Sequence, residues 1–244
     1  MASDGPPLLR PSERPAALPI LAVPIGDRDV VRAAFAWNLV VESVRTGASA
    51  TLLAPQEGEG APLWPDFGPG PMGAEVVSTA ARDLGNLSRA ALDVAVDRAA
   101  DAAEGGFVLV RVPLPWLEDA RALPLLRWVL LFSSPERRDL LEAYRLSKSV
   151  RSAVPEARIG LTIHGVRRIA EAEEAFGRVA GVSQRHLGRP LRSYGLLVDD
   201  LHVYRAIASR RAIGLEHPQS RAARALQDVA RLLLEDARQD ACLG

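Results

Sequence analysis

The chain has 244 residues, of which 48% are hydrophobic and 25% are charged, and its formal net charge is zero. This length can bury the core of one large α/β domain, and the composition is typical of a globular protein. No run of residues reaches the length of a membrane-spanning helix, and the N-terminus lacks the apolar core of a secretory signal. The single cysteine, Cys242, excludes an internal disulfide and a cysteine-based metal site, so we expect a cytoplasmic location.

The charges are unevenly distributed along the chain. Residues 1–133 carry 11 Arg and 16 Asp or Glu, whereas residues 134–244 carry 19 Arg or Lys and 14 Asp or Glu. The C-terminal half is therefore positive, although the zero total weakens the case for a nucleic-acid-binding protein. No metal-ligand spacing links the four histidines, which are His164, His186, His202 and His217.

The N-terminal region predicts a tail followed by a strand, a loop and a helix. Residues 1–18 are rich in proline and polar residues and are expected to be a disordered tail, so that residues 19–241 form a single α/β domain. Residues 20–23 form a short apolar run that indicates a strand buried on both faces, ended by Pro24. A helical pattern begins after Asp29, which is a suitable N-cap residue.

Apolar strand patterns then alternate with helical patterns along the rest of the chain. Further strands are predicted over residues 50–53, 75–78, 107–112, 128–132, 158–163 and 193–198. Further helices are predicted over residues 88–104, 137–152, 169–182 and 221–241. Residues 55–73 contain five prolines and five glycines and are expected to form a long loop. This alternation predicts an α/β fold with a mostly parallel central sheet and helices on both faces, in three layers.

Some boundaries in the C-terminal half depend on single residues. We expect Gly181 to end the helix that begins at residue 169, Asp199 to cap a short helix, and Ser220 to cap the last helix. In the helix over residues 137–152, the candidate core residues are Leu140, Leu141, Tyr144 and Val150.

Residues 20–39, ILAVPIGDRDVVRAAFAWNL, resemble one known family. In MinD/ParA-type ATPases an apolar strand leads into the deviant Walker A loop S-G-K-G-G-V-G-K-T-T, which is followed by an A-x-N-L helix. Gly26 falls on the first glycine, Val30 on the valine, and residues 38–39 on the Asn-Leu pair. The resemblance extends over roughly residues 19–235, and its C-terminal half is most similar to the flagellar-number branch, FlhG or YlxH. Residues 187–188 and 193–198 fit the F-L-G…Y-L-G-x-V edge strand of the family. The resemblance implies a P-loop NTPase-like fold.

The loop departs from the family motif where the phosphate chemistry resides. The replacements are Asp27 for the signature lysine, Arg28, Asp29 and Val31 for loop glycines, Arg32 for the phosphate lysine, and Ala33 for the magnesium-ligating threonine. Two like charges about 4 Å apart repel by about 4 kcal/mol at an effective dielectric constant of about 20, so the two loop aspartates would oppose a phosphate. We expect these carboxylates to satisfy the helix N-terminus in place of a bound anion.

The resemblance identifies further missing groups. Ala54 and Gln56 stand where the family has two aspartates, and Arg111 stands at the Walker B-like aspartate. A guanidinium cannot ligate magnesium, but Arg111 could pair with one of the loop aspartates. His164 stands where the family has an asparagine that often contacts the base, and either a stacking role or an ordinary loop position would account for it.

These departures predict a pseudo-ATPase without catalytic residues, without a metal site, and without bound ATP or magnesium. Its expected role is a protein-binding, positioning or regulatory module, with an active homologous ATPase or a polar, flagellar or motility component as partner, and the resemblance also allows a homodimer. Candidate residues for the partner face are Arg205, Arg210, Arg211, Arg221 and Arg224, although a solvated face is the simpler interpretation. Two alternatives stay open: an ATPase that holds phosphates with Arg32 and Arg111 in a rebuilt loop, and a DNA-associated partition-type protein.

Overall fold

The computed structural model describes residues 16–56, 64–118 and 120–241. The strands are β1 (Ile20–Ile25), β2 (Ser49–Pro55), β3 (Gly68–Pro69), β4 (Glu75–Thr79), β5 (Gly106–Pro113), β6 (Trp128–Ser133), β7 (Arg158–Val166) and β8 (Arg192–Val198). The α-helices are α1 (Val30–Arg45), α2 (Leu84–Ala99), α3 (Arg137–Ala153), α4 (Ile169–Leu187), α5 (Leu201–Ser209), α6 (Ile213–Glu216) and α7 (Arg221–Ala241).

The eight strands form one sheet with the order β3-β4-β2-β5-β1-β6-β7-β8. All neighbouring strands are parallel except β3, which pairs antiparallel with β4. Helices α1, α5, α6 and α7 contribute to the core on one face of the sheet, and α2, α3 and α4 contribute to the core on the other. The predicted three-layer α/β fold with a mostly parallel sheet is therefore confirmed.

Central strands are apolar on both faces because helices cover both sides of them. In β5, Val108, Leu109 and Val110 are all fully buried, with Leu109 in the α1 side of the core and its two neighbours in the α2 side. The first strand extends further than expected: β1 continues through Pro24, because its register with β5 runs on to Ile25 opposite Pro113.

Three helix boundaries were wrong in the sequence-based prediction, two of them in α2 and one in α4. Helix α2 begins at Leu84 rather than at residue 88, because the Asp83 side chain accepts the Asn86 backbone N–H at 2.8 Å and caps the helix earlier. It also ends at Ala99 rather than at residue 104, because the chain tightens into a turn in which the Ala102 N–H donates to the Ala99 carbonyl at 3.3 Å. Helix α4 does not end at Gly181, whose added Cβ would meet nothing within 4 Å. It continues to Leu187 and ends at Gly188, which has a left-handed φ of +71° that glycine adopts without strain.

Further corrections concern the region that follows α4. Residues 187–188 end this helix and do not belong to β8. The cap of α5 is Asp200, whose carboxylate accepts the His202 backbone N–H at 3.0 Å, whereas Asp199 lies 3.5 Å from Arg167. In α3, Leu141 is not a core residue because it is 46% exposed. The predicted cap of α7 is confirmed, since Ser220 Oγ accepts a backbone N–H from the first turn at 3.1 Å.

The predicted loop over residues 55–73 and the predicted tail are only partly described. Residues 57–63 of the loop, residues 1–15 of the tail, and Cys242 lie outside the described residues. The rest of the loop contains β3 and a 3₁₀ turn, and its Trp64 is buried in the α1 side of the core. Leu18, which the predicted tail includes, is also buried, and its N–H donates to the Ala95 carbonyl at 3.0 Å.

Among the helices of the described residues, none combines the length and the apolar character needed to cross a bilayer.

Candidate functional site

The carboxyl end of β1 leads into a short turn that begins helix α1. The Asp29 N–H donates to the Gly26 carbonyl at 3.0 Å, and the Ala33 N–H donates to the Asp29 carbonyl at 3.0 Å as the first helical bond. Asp29 is the N-cap, as predicted, and its carboxylate accepts the Arg32 backbone N–H at 2.9 Å. A side chain of the protein thus satisfies a helix N-terminus that could otherwise bind an anion.

The backbone of this turn does not form an anion-binding nest. Neither Gly26 nor the three residues that follow it have a positive φ, whereas nests alternate right- and left-handed residues so that successive N–H groups converge. The surroundings of Gly26 would also accept a larger side chain, because an added Cβ would lie 3.5 Å from Leu114, which is an ordinary van der Waals contact. The glycine that matches the family motif is therefore not required here for a left-handed conformation or for close approach.

Arg32, at the position of the phosphate lysine, is buried and surrounded by carboxylates. Its Nη1 donates to Glu142 Oε2 at 2.6 Å, its Nη2 lies 3.4 Å from Asp139 Oδ2, and its Nε lies 3.2 Å from Asp29 Oδ2. The Arg32 side chain is only 7% exposed. Three carboxylates face one guanidinium, and the resulting cluster, which we call the Arg32 cluster (Asp29, Arg32, Asp139 and Glu142), joins α1 to α3.

His164 lies beside the Arg32 cluster, in strand β7 rather than in a loop. Its ring centroid is 5.5 Å from that of Phe35, and its Nε2 is buried without a hydrogen-bond partner among the described residues. Burial, followed by the charge of Arg32, lowers the pKa of His164 from 6.5 to about 4, while Asp29 and Asp139 act in the opposite direction. The imidazole is therefore neutral near pH 7 and packs as a ring.

The other degenerate positions lie at or near the carboxyl ends of β2 and β5. Ala54 is buried near the end of β2, and the exposed Gln56 side chain reaches Ser78 Oγ at 3.5 Å. Arg111 is buried in β5, and its Nη2 donates to the Pro55 carbonyl at 3.5 Å. The predicted pairing of Arg111 with a loop aspartate is absent from the ion pairs of the described residues, and the aspartate nearest the helix pairs with Arg32 instead.

A magnesium-bound triphosphate does not match these groups. Arg32 is already engaged by carboxylates, the Ala33 side chain has no oxygen for magnesium, and the exposed Asp27 adds a further negative side chain to the turn. Among residues 16–56, 64–118 and 120–241, no group of three or more His, Cys, Asp or Glu side chains is arranged to hold a metal ion.

Two members of the Arg32 cluster, Asp139 and Glu142, were not recognised in the sequence. They lie three residues apart in the first turns of α3, so they share one side of the helix. Their spacing, directly after a strand that ends at the same edge of the sheet as β1, was the available signal.

Asn38, which matches the family Asn-Leu pair, makes a structural contact. Its Oδ1 accepts the Ile213 N–H at 2.7 Å and joins α1 to α6.

The five arginines of the predicted partner face all lie on the surface, between α5 and the first turn of α7. Arg210 ends α5 with a left-handed φ of +55° and lies 3.4 Å from Asp66. Arg211 pairs with Glu216 at 3.2 Å, and Arg224 donates to the backbone and side chain of Gln219. The remaining members are Arg205 and Arg221.

No family model and no curated protein matches the sequence, but solved structures match the fold. The MinD protein of the MinC:MinD cell division complex from Aquifex aeolicus has a TM-score of 0.63 and 12% identity, over 88% of this chain and 96% of that one. MinD from Pyrococcus horikoshii OT3, complexed with Mg-ADP, has a TM-score of 0.62 and 12% identity, over 88% and 95%. A ParA family ATPase from Chlorobium tepidum TLS has a TM-score of 0.53 and 14% identity, over 88% and 98%.

These matches define the class of fold. The chain has the MinD/ParA type of P-loop NTPase-like α/β fold, with the β1–turn–α1 unit at the carboxyl edge of a mostly parallel sheet. At identities of 12–14%, the likeness is one of fold, and function has to be argued from the site.

Proposed function

We propose that this chain is a pseudo-ATPase: a MinD/ParA-like scaffold that binds a protein partner without binding or hydrolysing ATP. The observation that carries the proposal is the Arg32 cluster. In it the cation at the phosphate-lysine position is buried and engaged by three carboxylates. An incoming triphosphate would have to displace them or to lie beside them, and each like-charge contact at about 4 Å costs about 4 kcal/mol at an effective dielectric constant of about 20.

The turn geometry and the missing ligands support the same proposal. A turn without positive φ residues offers no converging N–H groups to phosphate, and the positions of Ala33, Ala54 and Gln56 supply no carboxylate or hydroxyl for magnesium or for an attacking water. The stabilisation that a bound nucleotide would give the helix N-terminus comes instead from the Asp29 cap.

In place of a nucleotide-dependent switch, the proposed role is constant binding in the cytoplasm to a partner that positions or regulates other components. One of the structural neighbours is MinD in a complex with MinC, which motivates a protein partner for this scaffold. The sequence resemblance to the flagellar-number branch motivates flagellar, polar or motility machinery as the process, and flagellar or motility genes beside this one in the genome would support it.

Titration with ATP and magnesium tests the loss of the nucleotide site. We expect no saturable heat in calorimetry and no change in the thermal midpoint up to about 1 mM nucleotide. A site with a dissociation constant of about 10 μM would stabilise the fold by about 2.7 kcal/mol at that concentration, which raises the midpoint by roughly 5–10 °C. Such a shift would refute the pseudo-ATPase and favour the rebuilt-loop ATPase.

A further inference from the structure

The outward face of α5 exposes large apolar side chains next to an arginine. Leu201 is 60% exposed and Tyr204 is 53% exposed, whereas Val203 and Ala206 point into the core. Because residues three and four apart share one side of a helix, Leu201, Tyr204 and the exposed Arg205 form a single outward face. Contiguous exposed apolar side chains that are bordered by polar residues are typical of protein interaction surfaces.

Helix α6 and the start of α7 lie next to this face. Helix α5 packs against α6 and α6 packs against α7, and the exposed Leu215 belongs to α6. The ring centroids of His202 and His217 are 4.4 Å apart, and the Ala222 N–H donates to the cap residue of α5 at 3.3 Å. We call the exposed part of this region the α5–α7 surface, which is formed by Leu201, Tyr204, Arg205, Leu215, Arg221 and Arg224.

The arginines of the α5–α7 surface are not neutralised by neighbouring acids. Arg205 and Arg221 are in no ion pair among the described residues, and Arg224 contacts only a neutral glutamine. Two of the nearby carboxylates are already engaged: Glu216 pairs with another arginine, and Asp200 accepts two backbone N–H groups and contacts a histidine ring. The exposed Asp228, four residues after Arg224 in α7, leaves an excess of positive charge among the three arginines. The surface is therefore both apolar and positive, so its complement is apolar and negative.

We propose that the α5–α7 surface binds an acidic amphipathic helix of a partner protein, an inference that rests on the proposed role as a protein-binding module. Leucines on one side of such a helix would cover Leu201, Tyr204 and Leu215, and flanking glutamates or aspartates would face the arginines. Helix α5 has nine residues and is about 14 Å long, which matches two to three turns of the partner. Duplex DNA would pair with the arginines but would leave the three apolar side chains without a matching surface.

A designed peptide can serve as the probe. We expect a fluorescein-labelled helix of about 18 residues, with leucines on one face and glutamates flanking them, to bind the full chain saturably in fluorescence anisotropy. The same peptide with lysines in place of glutamates should not bind. Replacing both Leu201 and Tyr204 with Ser should weaken binding about tenfold or more, because the leucine face of the peptide would lose its apolar contacts.

Matched variants distinguish a specific surface from general adhesion. The pair Leu92→Ser and Val96→Ser removes two similarly exposed apolar residues of α2 and should leave binding unchanged. The pair Arg205→Glu and Arg221→Glu should reverse the preference, so that the lysine peptide binds better than the glutamate peptide. Hydrophobic adhesion alone cannot produce this reversal.

Several results would overturn the inference. The first is that the glutamate peptide does not bind saturably. The second is that the α2 and α5 variants weaken peptide binding equally, or that the arginine variants do not reverse the peptide preference. The third is that the chain binds duplex DNA or phosphatidylserine–phosphatidylcholine vesicles more tightly than the peptide, in a way that depends on the arginines. The outcome is separable from that of the nucleotide titration. A chain that binds both ATP and the glutamate peptide would refute only the pseudo-ATPase, and one that binds neither would refute only this surface.

Discussion

The substitution Arg32→Met is expected to destabilise the folded chain even when no nucleotide is present. Methionine fills a similar volume but removes the positive charge between α1 and α3, so that three carboxylates remain close together without a cation. In an intact phosphate site the equivalent change would impair ligand binding, and the ligand-free fold would not depend on the cation.

The expected loss follows from the burial of the cluster. Removing one partner of a buried ion pair costs about 3–5 kcal/mol, because a charge is left uncompensated. Here the arginine side chain is 7% exposed, while the carboxylates of Asp29, Asp139 and Glu142 are 30%, 25% and 37% exposed and stay partly hydrated. We therefore expect a smaller loss, about 2–3 kcal/mol, which lowers the thermal midpoint by roughly 5–10 °C.

Urea unfolding followed by circular dichroism and tryptophan fluorescence measures this loss directly. Arg145→Met is a matched control, because Arg145 is an exposed arginine of α3 that is in no ion pair among the described residues, and it should change stability by no more than about 0.5 kcal/mol. Combining Arg32→Met with Glu142→Gln should recover part of the loss, because one of the opposing charges is removed. If Arg32→Met unfolds at the same urea concentration as the unmodified chain, the cluster does not support the fold and the reasoning fails.

Two further predictions concern the neighbouring histidine and the sheet. His164 has a pKa of about 4 in the folded chain against an ordinary value of 6.5, so between these values the unfolded chain binds the extra proton and stability falls as the pH decreases, by at most about 3 kcal/mol. Below about pH 4 the loss is complete. His164→Phe should remove this contribution, which is read from the difference between the two unfolding free energies at pH 7 and pH 4; a difference that does not change with pH would contradict the assignment. A Cβ added at Gly160 would lie 2.0 Å from Tyr194 Cε2, so Gly160→Ala should cost about 1–3 kcal/mol in urea unfolding through overpacking. The control Gly177→Ala in α4, where an added Cβ meets nothing within 4 Å, should be neutral or slightly stabilising, and equal losses for the two variants would exclude the clash as the cause.

Much of the fold could be predicted from local patterns. Buried parallel strands appear in the sequence as apolar runs, and helices appear as apolar residues with a 3.6-residue period, so the α/β alternation was recognisable from each segment alone. The Asp29 and Ser220 caps were recognisable because each residue type is favoured at the start of a helix. The predicted start of a helix was wrong where more than one residue could cap it. Asp83 caps α2 one turn before the predicted start, and Asp200 rather than Asp199 caps α5. An exposed glycine such as Gly181 can remain inside a helix when neighbouring residues on the buried side, here Val179 and Ser183, pack against the rest of the fold.

The sequence by itself determined the alternation of strands and helices and the absence of lysine and threonine from the turn after β1, because both depend only on residue order and residue identity. The tertiary structure alone decided what replaces those groups. Arg32 and Glu142 are 110 residues apart, and they meet because the sheet order places β1 beside β6, so that α1 and α3 begin at the same edge. The position of His164 inside β7 and the continuity of the α5–α7 surface have the same origin, since contacts between distant segments depend on sheet order and packing, which local periodicity does not encode.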